Sequence, residues 1–271
     1  MRNLSWYTPF GSEQASVQCR WPLRLLYRLI GEFRFPLRHR SYWLRKALPA
    51  GFQPKRIWDA GCGEGQSSFW LARRYPHAKV LGTDMRHESV IRCQRIARKT
   101  GQSNVNFMRG DLVAEASSSP KGCDLIICFE VLEHIHDFQS ALYVLARSLE
   151  VGGLLLIHTP AAGRFQSESY GIRRYFHETA EFEPEAGQYH VRTGFELEAL
   201  AKAVASTGLA VTHAEYTFGS LAMLAHSIYE VTRPRSKFWQ LSVLPALMTL
   251  GWLDAHRKRP AGGGIFLAAR R

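Results

Sequence analysis

The sequence predicts a doubly wound α/β domain: a mostly parallel, seven-stranded sheet with an N-terminal helical arm and a helical insertion before the last strand. From residue 56 onward, short continuous apolar runs alternate with helical patterns, which is typical of a parallel sheet covered on both faces. A glycine-rich turn, AGCGEG at 60–65, follows the first run. The 271 residues, 46% hydrophobic and 21% charged, suffice for such a domain and exclude disordered, collagen-like and coiled-coil classes.

Each predicted strand is a short run of apolar and β-branched residues that a turn signal closes. These runs lie at 56–60, 79–84, 105–108, 123–129, 154–159, 209–216 and 264–269. Helical spacing of apolar residues predicts helices over 65–76, 87–100, 138–150 and 194–207. In the second of these, Val90, Ile91, Cys93 and Ile96 form the inner face, and Gly101 ends the helix.

We expect three parts along the chain. Residues 1–55 form a basic amphipathic arm, and 56–216 form the core of the domain. Within the core, the polar and aromatic segment 160–193 is longer than an ordinary connection, so we interpret it as a lid region. Residues 217–271 hold an apolar helical insertion and the final strand.

The N-terminal arm interleaves arginines with large apolar side chains between residues 20 and 48. Arg24 and Arg28 fall on one side of a predicted helix. The other side carries Leu25, Leu26, Leu29, Ile30 and Phe33. Three interpretations remain open: a helix packed over the site with its arginines in solvent, a helix on an anionic membrane surface, or a nucleic-acid groove.

The segment 238–253 is apolar on nearly all sides, so we expect it to be buried in protein, in an oligomer or in lipid. Its sixteen residues are interrupted by Pro245 and fall short of the roughly 20 residues that span a bilayer.

The net charge of +12 is concentrated at the two ends of the chain. Residues 1–56 contain eleven Lys and Arg against two Glu, a net charge of +9, and residues 233–271 contain eight against one Asp, a net charge of +7. The middle is left at −4. Basic ends indicate an anionic partner, lipid or nucleic acid, or they simply keep the protein soluble.

The five cysteines show no metal-like or disulfide-like spacing, and the N-terminus has no secretory signal pattern. We therefore expect reduced thiols in a cytoplasmic protein, with a peripheral position at the inner membrane surface as one option.

Acidic residues follow successive strands of the predicted sheet. Asp84 can accept hydrogen bonds from both hydroxyls of a ribose, Met85 offers an apolar face to a purine, and Asp111 can accept from an exocyclic amine. Asp59 and Glu130 end two further strands at the same sheet edge, where open α/β folds bind ligands. So many carboxylates repel a pyrophosphate but suit a cationic, adenosine-bearing ligand, which indicates S-adenosylmethionine.

Four motifs, DAGCGEG, GTDM, GDL and ICFEVLEHI, resemble those of class I S-adenosylmethionine-dependent methyltransferases over residues 56–215. The sequence is most similar to the type 11 group, which includes the ubiquinone-pathway O-methyltransferases. The resemblance implies that Gly61 and Gly63 pack against the methionine moiety, that Asp84 holds the ribose and that Asp111 contacts the adenine amine. The predicted cofactor site consists of Asp59, Gly61, Cys62, Gly63, Asp84, Met85, Asp111, Leu112 and Glu130.

The EVLEH run supplies the candidate catalytic residues. Glu130, Glu133 and His134 fall at i, i+3 and i+4, which would place them on one face of a helical turn. Similar runs in methyltransferases that act on ubiquinone precursors or on RNA ends hold a divalent cation, so we consider Glu130, Glu133, His134 and His190 as metal ligands. The alternative is metal-free catalysis by Glu133, His134 and His190, with a histidine as general base. We expect His158 to be a buried histidine with its hydrogen bonds satisfied.

The expected function is O-methylation of an apolar small molecule or a lipid-linked acceptor. Two alternatives remain open: methylation of RNA, and a regulatory subunit that binds S-adenosylmethionine without catalysis. The mildly acidic middle of the chain argues against an RNA surface across the core.

Overall fold

A computed structural model of the protein describes residues 10–19, 21–114, 119–162, 191–232, 237–257 and 259–271. Its sheet has seven strands in the order β3-β2-β1-β4-β5-β7-β6, and β7 runs antiparallel to both of its neighbours. The strands are β1 Arg56–Ala60, β2 Lys79–Asp84, β3 Val105–Arg109, β4 Cys123–Phe129, β5 Leu149–Pro160, β6 Ala210–Thr217 and β7 Gly264–Arg270. The predicted fold class is confirmed.

Nine helices lie in the described residues: α1 Ser12–Gln18, α2 Trp21–Ile30, α3 Phe35–Ala47, α4 Gln66–Arg74, α5 His87–Thr100, α6 Phe138–Ser148, α7 Leu197–Ala205, α8 Ser220–Thr232 and α9 Lys237–Ala255. The predicted helix over 138–150 ends two residues early. Its last residues instead join β5, where Leu149 pairs with Cys123.

Helices cover both faces of the sheet because successive side chains of each buried strand point in opposite directions. Ile57 and Leu125 face a cluster with α3, α4 and α5, whereas Trp58 and Ile126 face a cluster with α6 and α7. Parallel strands buried in this way have their carboxyl ends at one sheet edge, which positions the site.

The N-terminal arm is split between core and surface. Trp43 of α3 is fully buried and stacks on Phe266 of β7, with ring centroids 5.9 Å apart. In contrast, α2 has no buried residue, and Leu25 and Leu29 of its predicted apolar side are exposed. Leu26 and Ile30 of the same side are half-buried and Phe33 is buried, so part of the predicted apolar side packs on the protein and part faces outward. The core contact is made by α3, which the sequence pattern did not single out.

The insertion before β7 consists of α8 and α9, which pack together. The predicted apolar segment lies in α9, but its burial is one-sided: Leu244 and Leu247 are buried, whereas Trp239 and Trp252 are exposed. In the part of the chain that the structure describes, no helix is long and apolar enough to span a bilayer. Residues 163–190, with most of the predicted lid region and His190, lie outside the described residues.

Candidate active site

A cavity of about 1380 Å³ opens at the carboxyl ends of the strands. It brings together every residue of the predicted cofactor set, although these come from four different strand ends. Lining the cavity are Asp59, Gly61, Cys62, Gly63, Asp84, Met85, Asp111, Leu112 and Glu130, together with the candidate catalytic residue His134. Their roles stay predictions, but the geometry makes one common site possible.

The glycine turn after β1 presents bare backbone to this cavity. Gly61 and Gly63 have positive φ angles of 76° and 53°, a region that glycine enters without steric cost. The N–H groups of Gly61 and Cys62 both donate to the carbonyl oxygen of Thr83 at 2.8 Å, which ties the turn to β2. A Cβ atom on Gly61 would lie only 2.1 Å from Cγ2 of Val131. The turn can therefore pass under the EVLEH run only as glycine.

Asp84, at the end of β2, is held against this turn. One carboxylate oxygen accepts from the Gly63 N–H at 2.8 Å, and the other accepts from the Arg86 N–H at 2.9 Å. The next residue, Met85, is exposed within the cavity wall. An acidic acceptor beside an apolar face matches the two halves of an adenosine.

Asp111, after β3, has a local structural role in addition to its place in the cavity wall. Its Oδ1 accepts from the N–H groups of Val113 at 2.8 Å and Ala114 at 2.9 Å. The carboxylate thus caps the turn that carries Leu112 along the cavity.

The residues present fit S-adenosylmethionine. The turn presents its backbone at Gly61 and Gly63 to the cavity, where an amino-acid moiety can lie, and Asp84 with Met85 provides acceptors and an apolar surface for a nucleoside. The carboxylates of Asp59 and Glu130 line the same edge, which favours a ligand with positive charge.

Asp59 lies beneath the turn, is 3% exposed and accepts a hydrogen bond of 2.5 Å from the Ser68 hydroxyl. Burial raises the pKa of its carboxyl to about 7, and the hydrogen bond from Ser68 opposes that rise. In the unfolded chain the same carboxyl ionises near pH 4, the ordinary value of about 3.9. Between these values the unfolded chain has lost a proton that the folded protein retains, so stability falls as the pH rises through this window.

The variant Asp59→Asn is therefore expected to become more stable relative to the parent protein as the pH rises from about 4 to about 8. The expected gain is about 4 kcal/mol, because the amide has no buried charge to form. Urea unfolding of the cofactor-free proteins at several pH values measures it. Parallel stability curves for the two proteins would contradict the raised pKa. As a control, Ser68→Ala keeps the carboxyl, and loss of the hydrogen bond that lowers its pKa should extend the fall in stability to higher pH.

Glu130 is the centre of a polar chain that runs from the cavity wall into the core. Its φ angle is 59°, a left-handed value that is unusual for a residue with a side chain. One carboxylate oxygen lies 2.6 Å from Nδ1 of His158 on β5, and the other lies 2.9 Å from a guanidinium nitrogen of Arg40 on α3. Nε2 of His158 lies 2.9 Å from the hydroxyl of Thr217. His158 is thus a buried histidine with partners at both ring nitrogens, as expected.

The prediction that Glu130, Glu133 and His134 share one face of a helical turn is wrong. The helical turn covers just Leu132–His134, and the left-handed backbone of Glu130 precedes it. Glu133 accepts from the hydroxyl of Thr159 at 3.1 Å, whereas Glu130 contacts His158, the preceding residue of β5. Because neighbouring strand residues point to opposite faces, the two glutamates lie on opposite sides of the sheet.

Glu133 is consequently fully buried behind the cavity wall, and Oε1 of its side chain lies 4.0 Å from Nε2 of His134. Burial, and next the nearby charge of Glu130, raise the pKa of Glu133 to about 8. His134 itself lines the cavity with a side chain that is 31% exposed. Of the candidate catalytic residues, His134 reaches the cavity, Glu133 lies behind it, and His190 is outside the described residues.

In the described ranges no cluster of three or more His, Cys, Asp or Glu side chains is arranged to hold a metal ion. The metal set considered from the sequence includes His190, so it stays a prediction.

Several cavity residues come from outside the core and were not predicted from the sequence. Pro36, Leu37 and Arg40 of α3 and Tyr229 of α8 line the same cavity. They lie far from the motifs in the sequence, and no local pattern distinguishes them from ordinary helix residues. The basic character of the N-terminal arm was the one available signal, and it did not identify Arg40.

Known proteins resemble this chain in both sequence and fold. The family model described as "Methyltransferase domain" matches residues 53–202. The ubiquinone biosynthesis O-methyltransferase of Paracidovorax citrulli is 31% identical over 139 residues, which cover 51% of this chain and 56% of that protein. The chain thus spans about half the length of the curated relatives it matches.

Two solved structures share the fold at low sequence identity. A putative sarcosine dimethylglycine methyltransferase from Galdieria sulphuraria has a TM-score of 0.58 at 15% identity, and the match covers 86% of this chain and 85% of that one. The [4+2]-cyclase SpnF has a TM-score of 0.57 at 18% identity, and the match covers 86% of this chain and 81% of that one. Because one of these is described as a cyclase, the fold by itself does not determine the reaction.

Proposed function

Because the chain belongs to the class I S-adenosylmethionine-dependent methyltransferases, we propose that it methylates a hydroxyl oxygen of an apolar, lipid-linked small molecule. The observation that carries the proposal is the composition of the cavity, which joins the polar glycine turn to an apolar wall. That wall contains Pro36, Leu37, Phe129, Val131 and Tyr229. The similarity to ubiquinone biosynthesis O-methyltransferases supports the choice of oxygen and of an apolar acceptor.

The polar half of the cavity is the proposed cofactor site. S-adenosylmethionine supplies a methyl group that its sulfonium makes electrophilic. Asp84 accepts hydrogen bonds from the ribose, Met85 packs against the purine, and Asp111 accepts from the adenine amine through its cavity side. The methionine moiety lies against the backbone of Gly61 and Gly63, which line the cavity.

The apolar half is the proposed acceptor site. Apolar side chains exclude water from the acceptor hydroxyl, whose oxygen attacks the methyl carbon. The exclusion of water strengthens the electrostatic interactions around that oxygen. The ion pair between Arg40 and Glu130, 2.9 Å apart, joins the acceptor side of the cavity to β4 and holds α3 over the opening. Since methyl transfer is an in-line displacement, this positioning supplies much of the acceleration.

His134 is the proposed general base. It lines the cavity next to Glu130, and its imidazole is accessible from the cavity. In the proposed step the imidazole would take the proton of the acceptor hydroxyl as its oxygen bonds to the methyl carbon, and the carbon–sulfur bond of the cofactor would break so that S-adenosylhomocysteine leaves. Glu133, with Oε1 4.0 Å away, lies behind the ring and is a positioning residue.

The test is methyl transfer from methyl-labelled S-adenosylmethionine to a lysate of the source organism, followed by separation of organic-extractable material from RNA and protein. We expect the label in the organic phase. The variant His134→Gln should lower the transfer rate about 100-fold, the range for loss of a general base, and leave the Kd for S-adenosylmethionine within about threefold.

His77→Gln is the matched control, since His77 is exposed and outside the cavity. It should retain the parent rate. Label in RNA would overturn the acceptor class, and no label in any fraction despite cofactor binding would favour a regulatory subunit. Loss of methyl transfer on addition of a chelator would contradict metal-free catalysis and favour the alternative in which a metal ion takes part.

A further inference from the structure

The outer face of α9 is a stripe without charge, in which apolar side chains are interrupted by two hydroxyl residues. Trp239 is 54% exposed and Trp252 is 48% exposed, one near each end of the helix. Between them the exposed positions recur every three or four residues, so all lie on one helix face. These positions are Ser242, Pro245, Ala246 and Thr249.

The opposite face of α9 fixes the orientation of this stripe. Leu247 is 1% exposed and belongs to a buried cluster with Phe35 of α3 and Ala225 of α8. At the end of the helix, the Asp254 carboxylate accepts from the Gly219 N–H at 3.0 Å and lies 3.5 Å from a guanidinium nitrogen of Arg259. The stripe therefore faces away from the protein because the helix is anchored along its other side.

Helix α2 adds a second exposed apolar row. Trp21, Leu25 and Leu29 are spaced by four residues and are all exposed, and Arg24 and Arg28 are exposed beside them. Tyr27 of α2 and Gln240 of α9 line the same small cavity of about 460 Å³. Helix α2 therefore lies close to the beginning of α9.

Cationic residues flank the α9 stripe in the sequence. Arg233, Arg235 and Lys237 precede it, and Arg257 and Lys258 follow it. No Asp or Glu occurs from residue 231 to residue 253. Tryptophans at both ends of an apolar face, with cations beyond them, are the pattern of a helix that lies in the interface of an anionic bilayer.

We propose that α9 and α2 form a docking surface for a lipid bilayer with anionic headgroups, with the tryptophans among the acyl boundaries and the arginines at the phosphates. A lipid interface accounts for the cationic residues that flank an uncharged stripe in the sequence. A second copy would bring the same positive charge to the contact and repel it.

The proposed docking surface lies close to the cavity of the candidate active site. Arg34 and Tyr229 line both the small cavity beside α2 and α9 and the large cavity of the candidate active site. An acceptor anchored in the bilayer would therefore enter the active site from the docked side. This route of acceptor entry rests on the proposed function, whereas docking to the bilayer is testable without any methyl transfer.

The experiment is sedimentation of the full chain with two kinds of vesicle, one of phosphatidylcholine alone and one with a quarter of phosphatidylglycerol. We expect binding to the anionic vesicles that weakens as salt increases. The double variant Trp239→Ala, Trp252→Ala should bind them at least roughly tenfold more weakly, because binding scales with buried apolar area. Arg24→Ala and Arg28→Ala should each cost about fivefold.

The matched control is Tyr143→Ala, because Tyr143 is an exposed aromatic residue on α6, over the opposite sheet face. It should bind vesicles like the parent protein, and thermal unfolding should show that all variants are folded. Unchanged vesicle binding by the double tryptophan variant would overturn the proposal. So would a parent dimer that this variant converts to a monomer, since the surface would then be an interface between copies.

Failure of docking and failure of the proposed function are separable. Vesicle binding without methyl transfer would leave the surface in place and remove the acceptor assignment. Methyl transfer to organic-extractable material without vesicle binding would contradict the docking surface and leave the acceptor assignment in place.

Discussion

Replacing Asp84 with alanine is expected to weaken S-adenosylmethionine binding by roughly 100-fold or more. The variant loses a charged acceptor for two ribose hydroxyls, and each such hydrogen bond contributes about 1.5–3 kcal/mol. It also loses the contact that holds the turn, because the carboxylate accepts from the Gly63 N–H at 2.8 Å. Isothermal titration of both proteins with S-adenosylmethionine measures the change in Kd.

The control for this variant is Asp124→Ala. Asp124 is also a strand aspartate that accepts from backbone, at 2.7 Å from the N–H groups of Lys55 and Arg56, but it lies outside the cavity. It should lose stability without losing cofactor affinity. Equal affinity of the Asp84→Ala protein and its parent would mean that the cofactor does not rest on the end of β2.

Replacing Gly61 with alanine is expected to abolish measurable cofactor binding and to lower the free energy of unfolding by on the order of 3 kcal/mol. Two costs add up. The φ angle of 76° disfavours any side chain, and the new Cβ would lie 2.1 Å from Cγ2 of Val131. The turn or the EVLEH run must move, and both line the cavity.

Gly101→Ala separates the two costs. Gly101 has a φ angle of 69°, and a Cβ atom at this position would meet nothing within 4 Å. Its variant therefore suffers the backbone cost alone, about 1 kcal/mol. The double variant Gly61→Ala, Val131→Ala removes the atom that clashes and should recover part of the stability. If Gly61→Ala is no less stable than Gly101→Ala, the close packing of the turn against Val131 is contradicted.

The fold is predictable from the sequence because its determinants are local. Runs such as CDLIICF at 123–129 are typical of a strand buried on both faces, and acids at the carboxyl ends of parallel strands meet at one sheet edge. That rule predicts that Asp59, Asp84, Asp111 and Glu130 lie close together, and in the structure all four line one cavity. The same acids distinguish this chain from dinucleotide-binding proteins, whose glycine spacing is similar.

The parts that were not predictable depend on long-range contacts or on rare backbone states. No local pattern shows that Arg40 reaches Glu130, 90 residues away in the chain, or that His158 lies on its other side. A left-handed φ angle at a glutamate has no sequence signal, and it is the reason that Glu133 turns into the core. Likewise, an apolar run such as that of α9 does not reveal which side the protein covers.

The crystal structure of the protein with S-adenosylhomocysteine is the most direct measurement of the central claim, that this cavity is the cofactor site of a methyltransferase. We expect the ribose hydroxyls on the Asp84 carboxylate, the adenine between Met85 and Asp111, and the amino-acid moiety over Gly61 and Gly63. A ligand bound elsewhere, or bound here with its ribose away from Asp84, would contradict the claim.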